Sequence, residues 1–517
     1  MSASREKRRR REQSASESNP KQKELEKRRQ RKAKAGSLAL EIGAIAIVVI
    51  FVVLLIFNSG ILQRSLTAVS IGDYKAKVTE LNYYYNNAFR NTVMNMGDYA
   101  AQYGLDATKD LHKQPSFLDE TQSWADYFYD QAVKTMQQEY VQATLARQSG
   151  MELTEDNKTA IDTNIKSLEQ YAVTQQMTAT QYLRTLFGKG LTIDAYRKLL
   201  ERNYLSTQYG EQVVDSFTYD IDDLEAYYQE DPSSFDKYTY RSLFISGFDP
   251  DSEVDKEVQL QESLDKAEEM VSRLEKIDDP AEREALYIDL CSEYVKDEFK
   301  SKYENDPDFT LNRFKSESDL ETYLSEFITD PERTYGDVSC FDGTTGYYVV
   351  MFVDYGRNEY QYTTYHQIYF SPNTEKTADW TQEEWDKAEE TARTLYDMTQ
   401  LEDFTLDDFI GYAATYSNDT STKDNGGLYQ YATPGSMDYY VYEWLYESET
   451  EHTEGDIELI KGTDGYYLLY FDSYDGVVWE KTAESALKQR DYQAWFEEVS
   501  SDYEIKPNKM GLLFADY

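Results

Sequence analysis

The feature that most constrains the fold is an internal repeat in the second half of the chain. Residues 332–355, shifted by 119 positions, meet residues 451–474 with 11 identities in 24 ungapped pairs. The same order of elements surrounds both copies: a strand, two helices and a closing aromatic strand that begins Gly-Tyr-Tyr. A repeat of this length indicates two copies of one structural unit. The sequence therefore predicts two tandem αβ modules, residues 236–358 and residues 359–477.

Each module begins with a strand candidate. The runs Tyr240–Ile245 and Tyr365–Phe370 are rich in aromatic and β-branched residues, which favour strands. Two helix candidates follow in the second module. Thr381 and Glu384 form a capping box at the start of the first helix, and Leu406–Tyr416 is the second. This combination of strand and helix candidates predicts an α+β fold for the modules.

Residues 70–235 have helical periodicity and almost no proline. Val78, Leu81 and Tyr85 fall on one face at spacings of three and four residues, as in an amphipathic helix. No strand candidate interrupts this region. We therefore expect a helical domain that precedes the two modules.

The last segment, residues 478–517, continues past the closing strand of the second module. Its helix candidate Thr482–Val499 carries Leu487, Trp495 and Phe496 as apolar contacts. Burial of a side chain of this size contributes about 1.5–3 kcal/mol, so these residues need another apolar surface. We expect the segment to pack on the helical domain, which makes the two modules an insertion between two parts of that domain.

The first 58 residues predict a membrane anchor. Residues 1–36 hold 14 Lys and Arg against 5 Glu without apolar periodicity, and we expect a disordered, basic cytoplasmic tail. Within residues 37–58, the run Leu38–Phe57 is apolar apart from Glu41, and as a helix it would cross a bilayer core of about 30 Å. No A-x-A-like site follows, so we expect an uncleaved transmembrane helix rather than a signal peptide. The prediction is a single-pass protein of the cell membrane with an extracytoplasmic C-terminal region.

The rest of the chain is strongly acidic. The formal net charge of the whole chain is −43, which leaves about −52 for residues 37–517. Such a surface repels nucleic acid, and we expect no nucleic-acid partner. The sequence has no metal-ligand spacing, phosphate-binding loop or nucleophile elbow, so no cofactor is expected. Cys291 and Cys340 are the two cysteines, and the sequence leaves open whether they form a disulfide.

A longer motif lies in the second module, where Phe409–Met437 reads FIGYAATYSNDTSTKDNGGLYQYATPGSM. It resembles the signature of parvulin-type (PpiC-like) peptidyl-prolyl isomerases. The matching positions are Ala413, Tyr416, Ser417, Asp419, Ser421, Lys423, Gly426, Gly427, Leu428, Gly435 and Met437. The helical region together with the modules is similar to the SurA- and PrsA-type foldases. In those proteins, N- and C-terminal pieces build a helical chaperone domain around the parvulin domains.

The resemblance implies a set of catalytic residues. His366 matches the His of the family's first strand, A-R-H-I-L, and forms a polar floor beneath the substrate amide with Asp419. Tyr467 is the third catalytic candidate. Tyr467 stands where the family usually has a second His. The residues implied for substrate binding are Leu428, Tyr431, Met437, Tyr440 and Val441. The residues alone also fit a plain strand position for His366 and an Asx turn for Asp419.

The first module departs from this pattern. It has Arg241 where the second module has His366, and nothing in it matches the signature between Ser417 and Met437. We expect it to be a degenerate, non-catalytic copy.

The resemblance predicts a membrane-anchored, extracytoplasmic foldase that acts as a peptidyl-prolyl isomerase and chaperone. Its partners would be unfolded or newly exported polypeptides with X-Pro bonds, and the lipid bilayer through the transmembrane helix. Rotation about such a bond crosses a barrier of about 20 kcal/mol without making a bond, so it needs no nucleophile or metal. A non-catalytic holding chaperone or envelope assembly scaffold is the alternative, because Tyr467 replaces a His and the first module is degenerate.

Overall fold

The computed structural model describes residues 3–16, 24, 27, 47–51, 54, 58–118, 121–250, 252–376, 380–448 and 450–515. The chain forms two compact units. The first comprises Met1–Phe217 and Arg490–Tyr517, and the second comprises Thr218–Gln489. Both units contain helices and strands.

The helices are α1 (Ala3–Ser16), α2 (Ile61–Ser65), α3 (Val78–Met96), α4 (Trp124–Gln148), α5 (Glu155–Thr174), α6 (Ala179–Phe187), α7 (Ile193–Ser216), α8 (Ile221–Glu230), α9 (Lys256–Leu274), α10 (Pro280–Tyr294), α11 (Asp297–Asn305), α12 (Thr322–Ile328), α13 (Gln382–Thr399), α14 (Leu406–Tyr416), α15 (Tyr439–Tyr446), α16 (Val478–Ser500) and α17 (Lys509–Leu512). The strands are β1 (Thr67–Ile71), β2 (Tyr74–Lys77), β3 (Asp236–Ser246), β4 (Leu311–Lys315), β5 (Val338–Gly343), β6 (Gly346–Arg357), β7 (Gln361–Phe370), β8 (Leu428–Ala432), β9 (Ile457–Lys461), β10 (Tyr466–Val477) and β11 (Ile505–Pro507).

The first unit packs helices around an aromatic core. Trp124 and Phe128 of α4 are fully buried with their rings stacked at 5.5 Å, and Leu81 of α3 joins the same cluster. The helices start where side chains can cap them. The N-cap hydroxyls that accept a backbone N–H at the starts of α4 to α7 are Ser123, Thr154, Thr178 and Thr192. Each such cap contributes about 1 kcal/mol of helix stability.

A three-stranded antiparallel sheet completes the first unit. Its order is β11-β1-β2, so the middle strand pairs with a neighbour close in sequence and with one near the C-terminus. Val69 pairs with Pro507 in this ladder. The same C-terminal part also contacts α4, because Gln137 donates a hydrogen bond to the Tyr503 carbonyl at 2.9 Å. The sequence did not predict this sheet, since the partner of β1 lies more than 430 residues away.

The second unit holds two sheets of the same design. The strand orders are β4-β3-β6-β5 and β8-β7-β10-β9, antiparallel throughout. Arg241 pairs with Met351 in the first sheet, and His366 pairs with Tyr470 in the second. The two partner positions differ by the 119 residues that relate the sequence copies. The two sheets therefore share their register as well as their strand order.

Helices cover both faces of each sheet. In the first module, α9 and α10 pack on one face and α12 on the other. In the second module, α13 and α14 pack on one face and α15 on the other. The predicted helix Leu406–Tyr416 is confirmed, as is the capping box between Thr381 and Glu384. The first part of α16 packs in this unit through Trp479 and Leu487.

The structure corrects the prediction of a transmembrane helix and of a single-pass protein in the cell membrane. Across the described part of the chain, no helix is both long and apolar enough to span a membrane. Of the run Leu38–Phe57, residues 47–51 and 54 are described, and the other positions lie outside the described residues.

The structure also answers two questions about the N-terminal tail and the two cysteines. Residues 3–16 form α1, although the sequence predicted disorder for the tail. Arg, Lys, Glu and Gln have high helix propensities, which explains a helix without an apolar face. Cys291 and Cys340 are both free thiols, so the disulfide left open by the sequence is not formed.

A buried ion-pair network joins a strand and three helices of the first unit. Arg202 of α7 is 7% exposed and donates hydrogen bonds to Tyr74 at 2.7 Å and to Glu80 at 3.1 Å. It also donates to the Tyr84 hydroxyl at 3.1 Å, and that hydroxyl donates to Glu139 of α4. Burial raises the pKa of the Glu139 carboxyl, while its hydrogen bonds and the Arg202 charge oppose the rise. Two carboxylates thus depend on one guanidinium.

We predict that Arg202→Met lowers the free energy of unfolding by about 3–5 kcal/mol, because it leaves Glu80 and Glu139 without their cation in a buried setting. The matched control is Arg197→Met on the same helix. Arg197 pairs with Asp162 at 2.7 Å, but both side chains are largely exposed, and such pairs contribute about 0–1 kcal/mol. Urea unfolding followed by circular dichroism measures both variants. Equal losses would show that the network does not stabilise the unit.

Candidate functional site

The two faces of the second module's sheet have different neighbours. Successive residues of a strand point to opposite faces. On β7, Ile368 and Phe370 pack with α13 and α14, in what we call the α14 face. Tyr365 and Tyr369 pack on the opposite side with α15, in what we call the α15 face. Tyr467 of β10 belongs to the α15 face.

His366 lies on the α14 face. Its side chain is buried, and its Nδ1 atom lies 2.8 Å from the Gly426 carbonyl oxygen. The imidazole contacts the rings of Phe409 and Tyr470, with centroids 6.3 and 6.2 Å away. The sheet therefore separates His366 from Tyr467, although the family resemblance placed them together.

The equivalent residue of the first module has the same kind of surroundings. Arg241 is buried and donates to Glu284 of α10 at 2.6 Å and to the Pro307 carbonyl at 2.7 Å. In both modules this position ties the first strand to the helix and loop that cover it. For His366 these contacts are one loop carbonyl and two aromatic rings.

Gln367, the residue after His366, lies on the α15 face. It pairs with Leu469 of β10, whose side chain is buried in the α15 cluster, and paired residues share a face. Gln367 is only 7% exposed, and no described residue hydrogen-bonds its side-chain amide. The Gln367 amide atoms are not among the fully buried, unpaired side-chain atoms of the described residues, so they keep some contact with solvent. The amide at this position therefore keeps hydrogen-bonding capacity that no described residue uses.

Asp419 reaches the same face through a tyrosine. Its carboxylate accepts hydrogen bonds from Ser421, Thr422 and the Tyr429 hydroxyl, the last at 2.8 Å. The ring of Tyr429 stacks on Tyr365 of the α15 face at 5.1 Å. Burial alone would raise the pKa of Asp419, but the hydrogen bonds outweigh it and lower the pKa to about 2. Asp419 is therefore ionised at neutral pH.

Three of the other predicted residues meet on the α15 face. Val441 is fully buried there, and Met437 packs against the same cluster with a part-exposed side chain. Tyr467 packs its ring on Tyr369 at 5.1 Å and donates its hydroxyl to the Asp464 carboxylate. Burial and that carboxylate raise the pKa of Tyr467. Its hydroxyl is thus neutral and already engaged.

The remaining predicted residues lie elsewhere. Leu428 pairs with His366 and so shares the α14 face. Tyr431 is 57% exposed, with a positive φ of 55° at a β-bulge, and Tyr440 is 42% exposed. The structure gathers Asp419, Met437, Val441 and Tyr467 and leaves these three outside the group.

The sequence itself contains a signal that points to Gln367. In A-R-H-I-L, the residue directly after the His is Ile, and in this chain Ile368 directly follows Gln367. Alignment on the apolar residue, instead of on the His, puts Gln367 in the family's His position. Among the described residues, no group of three or more His, Cys, Asp or Glu could hold a metal ion.

Comparison with known proteins gives structural matches alone. No protein-family model matches the chain, and no curated protein matches it. The PrsA foldase of Streptococcus pneumoniae is 13% identical at a TM-score of 0.17, over 27% of this chain and 46% of that one. The PrsA peptidylprolyl isomerase of Bacillus cereus is 16% identical at 0.18, over 64% and 90%. PEB4 and Cj1289 of Campylobacter jejuni, two SurA-like chaperones, give 10% and 0.13, over 70% and 90%.

The chain thus covers less than half of the pneumococcal protein. The candidate site rests on the contacts of the second module and on its sequence motif.

We predict that Asp419→Asn lowers the free energy of unfolding by about 1 kcal/mol at pH 7, after allowance for solvent screening. A carboxyl whose pKa falls from 3.8 to about 2 on folding stabilises the protein above pH 4 and loses this effect as the pH drops to 2. The gap between wild type and variant should therefore close over that window. The exposed Asp424→Asn is the charge-matched control. Urea unfolding at a series of pH values measures both, and a gap that stays constant with pH would contradict the account.

Proposed function

We propose that this protein is a foldase that binds client polypeptides and isomerises X-Pro bonds in its second module. The observation that carries the proposal is the α15 face. Met437, Val441 and Tyr467 pack there with Tyr365, whose ring stacks on the Tyr429 partner of Asp419, and Gln367 lies on the same face of β7. An apolar wall beside a few directed polar groups is the usual make-up of a small-molecule or peptide site.

The apolar part would hold the proline ring. Met437 is flexible and polarizable, so it can fit rings presented in different sequence contexts. Val441 and the rings of Tyr369 and Tyr467 form a rigid floor behind it. Holding the ring on this floor leaves the preceding carbonyl as the part that turns.

Gln367 would stabilise the twisted amide. In the planar amide, the nitrogen lone pair is delocalised into the carbonyl and accepts no hydrogen bond. In the twisted state the lone pair is localised, and a donor gains an interaction that the planar state lacks. Only an interaction that is stronger in the transition state accelerates the reaction. The side-chain N–H groups of Gln367 are such donors.

Asp419 would act through its charge. Amide resonance places partial negative charge on the carbonyl oxygen, and twisting removes it. A nearby carboxylate therefore destabilises the planar substrate more than the transition state. The low pKa of Asp419 keeps this charge present at neutral pH.

A holding chaperone without catalysis is the second candidate. Two observations favour it: the Tyr467 hydroxyl is engaged by Asp464, and the sheet turns His366 away from the site. Exposed aromatic residues such as Tyr431 and Tyr440 can still bind apolar segments of a client. The two candidates differ in whether proline-limited refolding becomes faster.

We expect the full chain to accelerate refolding of a protein whose slow phase is a prolyl isomerisation. Met437→Ala should lower kcat/KM about tenfold, because it removes about 1–2 kcal/mol of contact with the ring. Met398→Ala is the control, since Met398 lies on α13 of the same module and is 38% exposed. Suppression of aggregation of a proline-free client without any rate effect would instead establish the holding chaperone.

Gln367→Leu separates function from stability. Leucine fills a similar volume and the Gln367 amide forms no hydrogen bond with a described residue, so we expect an unfolding free energy within about 1 kcal/mol of wild type. The same variant should isomerise prolyl bonds at least about tenfold more slowly. Thermal melting and the refolding assay provide the two measurements. A variant that is stable and fully active would remove Gln367 from the mechanism.

A further inference from the structure

The outer edge of β3 in the first module is only partly covered. β4 pairs with β3 from Tyr238 to Arg241, and Ser242 then donates its N–H to the Thr310 carbonyl at 2.9 Å. Backbone groups of alternate residues point to the same edge. The N–H and C=O of Phe244 and the N–H of Ser246 therefore face outward beyond the end of β4. No described residue hydrogen-bonds them.

The second module shows how this edge can be filled. Phe244 pairs with Tyr348, and Tyr369 pairs with Tyr467 at the corresponding place. The Tyr369 N–H donates to the Ser417 hydroxyl at 3.1 Å, and its carbonyl accepts from the Asn418 N–H at 2.8 Å. The Ser371 N–H donates to the Asn418 side chain at 2.9 Å. The loop after α14 therefore satisfies the groups that stay open in the first module.

A different chain path leaves the space empty in the first module. After α10 the chain forms α11, Asp297–Asn305, before it enters β4. A cavity of about 640 Å³ lies between this path and the open edge, lined by Phe244 and Ser246 among other residues. Phe299 and Phe309, which are 43% and 50% exposed, also line it. The cavity thus combines unpaired backbone groups with exposed aromatic rings.

The lining of this cavity is basic, in contrast to the chain as a whole. It carries Lys266, Arg273, Lys296 and Lys302 against two glutamates, in a chain with a net charge of −43. One of the glutamates is already paired with Arg273 at 2.6 Å. Lys266 and Lys302 form no ion pair with any described residue. An occupant with a carboxylate near its apolar side chains would match this surface.

We propose that the open edge of β3 binds an extended client peptide that carries aromatic and acidic side chains. The peptide adds a strand in line with β4 and takes the hydrogen bonds that the Ser417–Asn418 loop makes in the second module. Backbone pairing makes the site tolerant of sequence, while the aromatic cavity and Lys266 and Lys302 select the side chains. The site needs no proline, and so it does not depend on isomerase activity in the second module.

The open edge is tested first without a ligand. Proline lacks the N–H, and in a sheet it is tolerated only where that group is unused. Ser246→Pro should leave the melting temperature of the full chain unchanged. Ser371→Pro removes a donor that the second module uses and should lower the melting temperature. Equal destabilisation by the two substitutions would show that the edge at Ser246 is engaged and would overturn the proposal.

Binding is tested with a proline-free probe, the fluorescein-labelled peptide TVFTYDE, by fluorescence anisotropy with the full chain. We expect saturable 1:1 binding that weakens as salt is raised, because the charge contacts are screened. Ser246→Pro should weaken it about tenfold or more through loss of edge pairing. Lys266→Glu with Lys302→Glu should do the same through charge reversal. Both lysines are exposed, so their replacement does not threaten the fold.

Lys387→Glu on α13 is the matched control for the Lys266→Glu half of the double variant, because both reverse one charge and α13 is the helix of the second module that corresponds to α9. It should bind the probe as wild type does. The edge variants should retain prolyl isomerisation, which separates failure of this site from failure of the proposed function. Absence of probe binding, or binding that the edge variants leave unchanged, would overturn the proposal. So would an edge-dependent dimer of the chain, since the occupant would then be a second copy.

Discussion

The pairing register of the two central strands decides which side chains of each module can meet. β7 and β10 are paired over most of their length, so every side chain has a fixed face and a fixed partner. A shift by one residue would exchange the two faces of the whole strand. This constraint puts Gln367 beside Leu469 on the α15 face and sends His366 to the α14 face. The register therefore decides which polar side chains of the second module lie on the same face and can act together.

Arg241 of the first module and His366 of the second occupy equivalent positions and have similar structural roles, although their side chains differ. Arg241 binds a carboxylate and a carbonyl with its fork of donors, whereas His366 reaches one carbonyl with a single ring nitrogen. Each joins the first strand to the chain segment that crosses it. Arg241 needs several acceptors, among them the Pro307 carbonyl just after α11, whereas His366 needs only the Gly426 carbonyl. The path of that crossing segment is also what separates an open strand edge from a closed one.

The sequence predicted local and repeated features well, because their causes are local. Capping residues mark the start of α13, and the aromatic strands recur at a constant spacing. The sequence did not predict features that depend on contacts between segments far apart in the chain. The residues around Thr67–Ile71 give no indication that their partner strand is Ile505–Pro507. A motif match that is shifted by one residue also assigns side chains to the wrong face of a strand. The run Leu38–Phe57 shows a further limit, since hydropathy alone predicted a span that the described helices do not provide.

The pairing of β1 with β11 has a consequence for the order of folding. Val69 is made more than 430 residues before Pro507, so the central strand of that sheet waits for its second neighbour while the whole second unit is synthesised. Contacts so distant in sequence slow folding. The second unit, in contrast, is fully synthesised before β11 appears, and domains fold as units during synthesis. The nascent chain therefore carries a complete second unit while one edge of β1 is still unpaired. Until β11 is made, that edge is open to pairing with other chains.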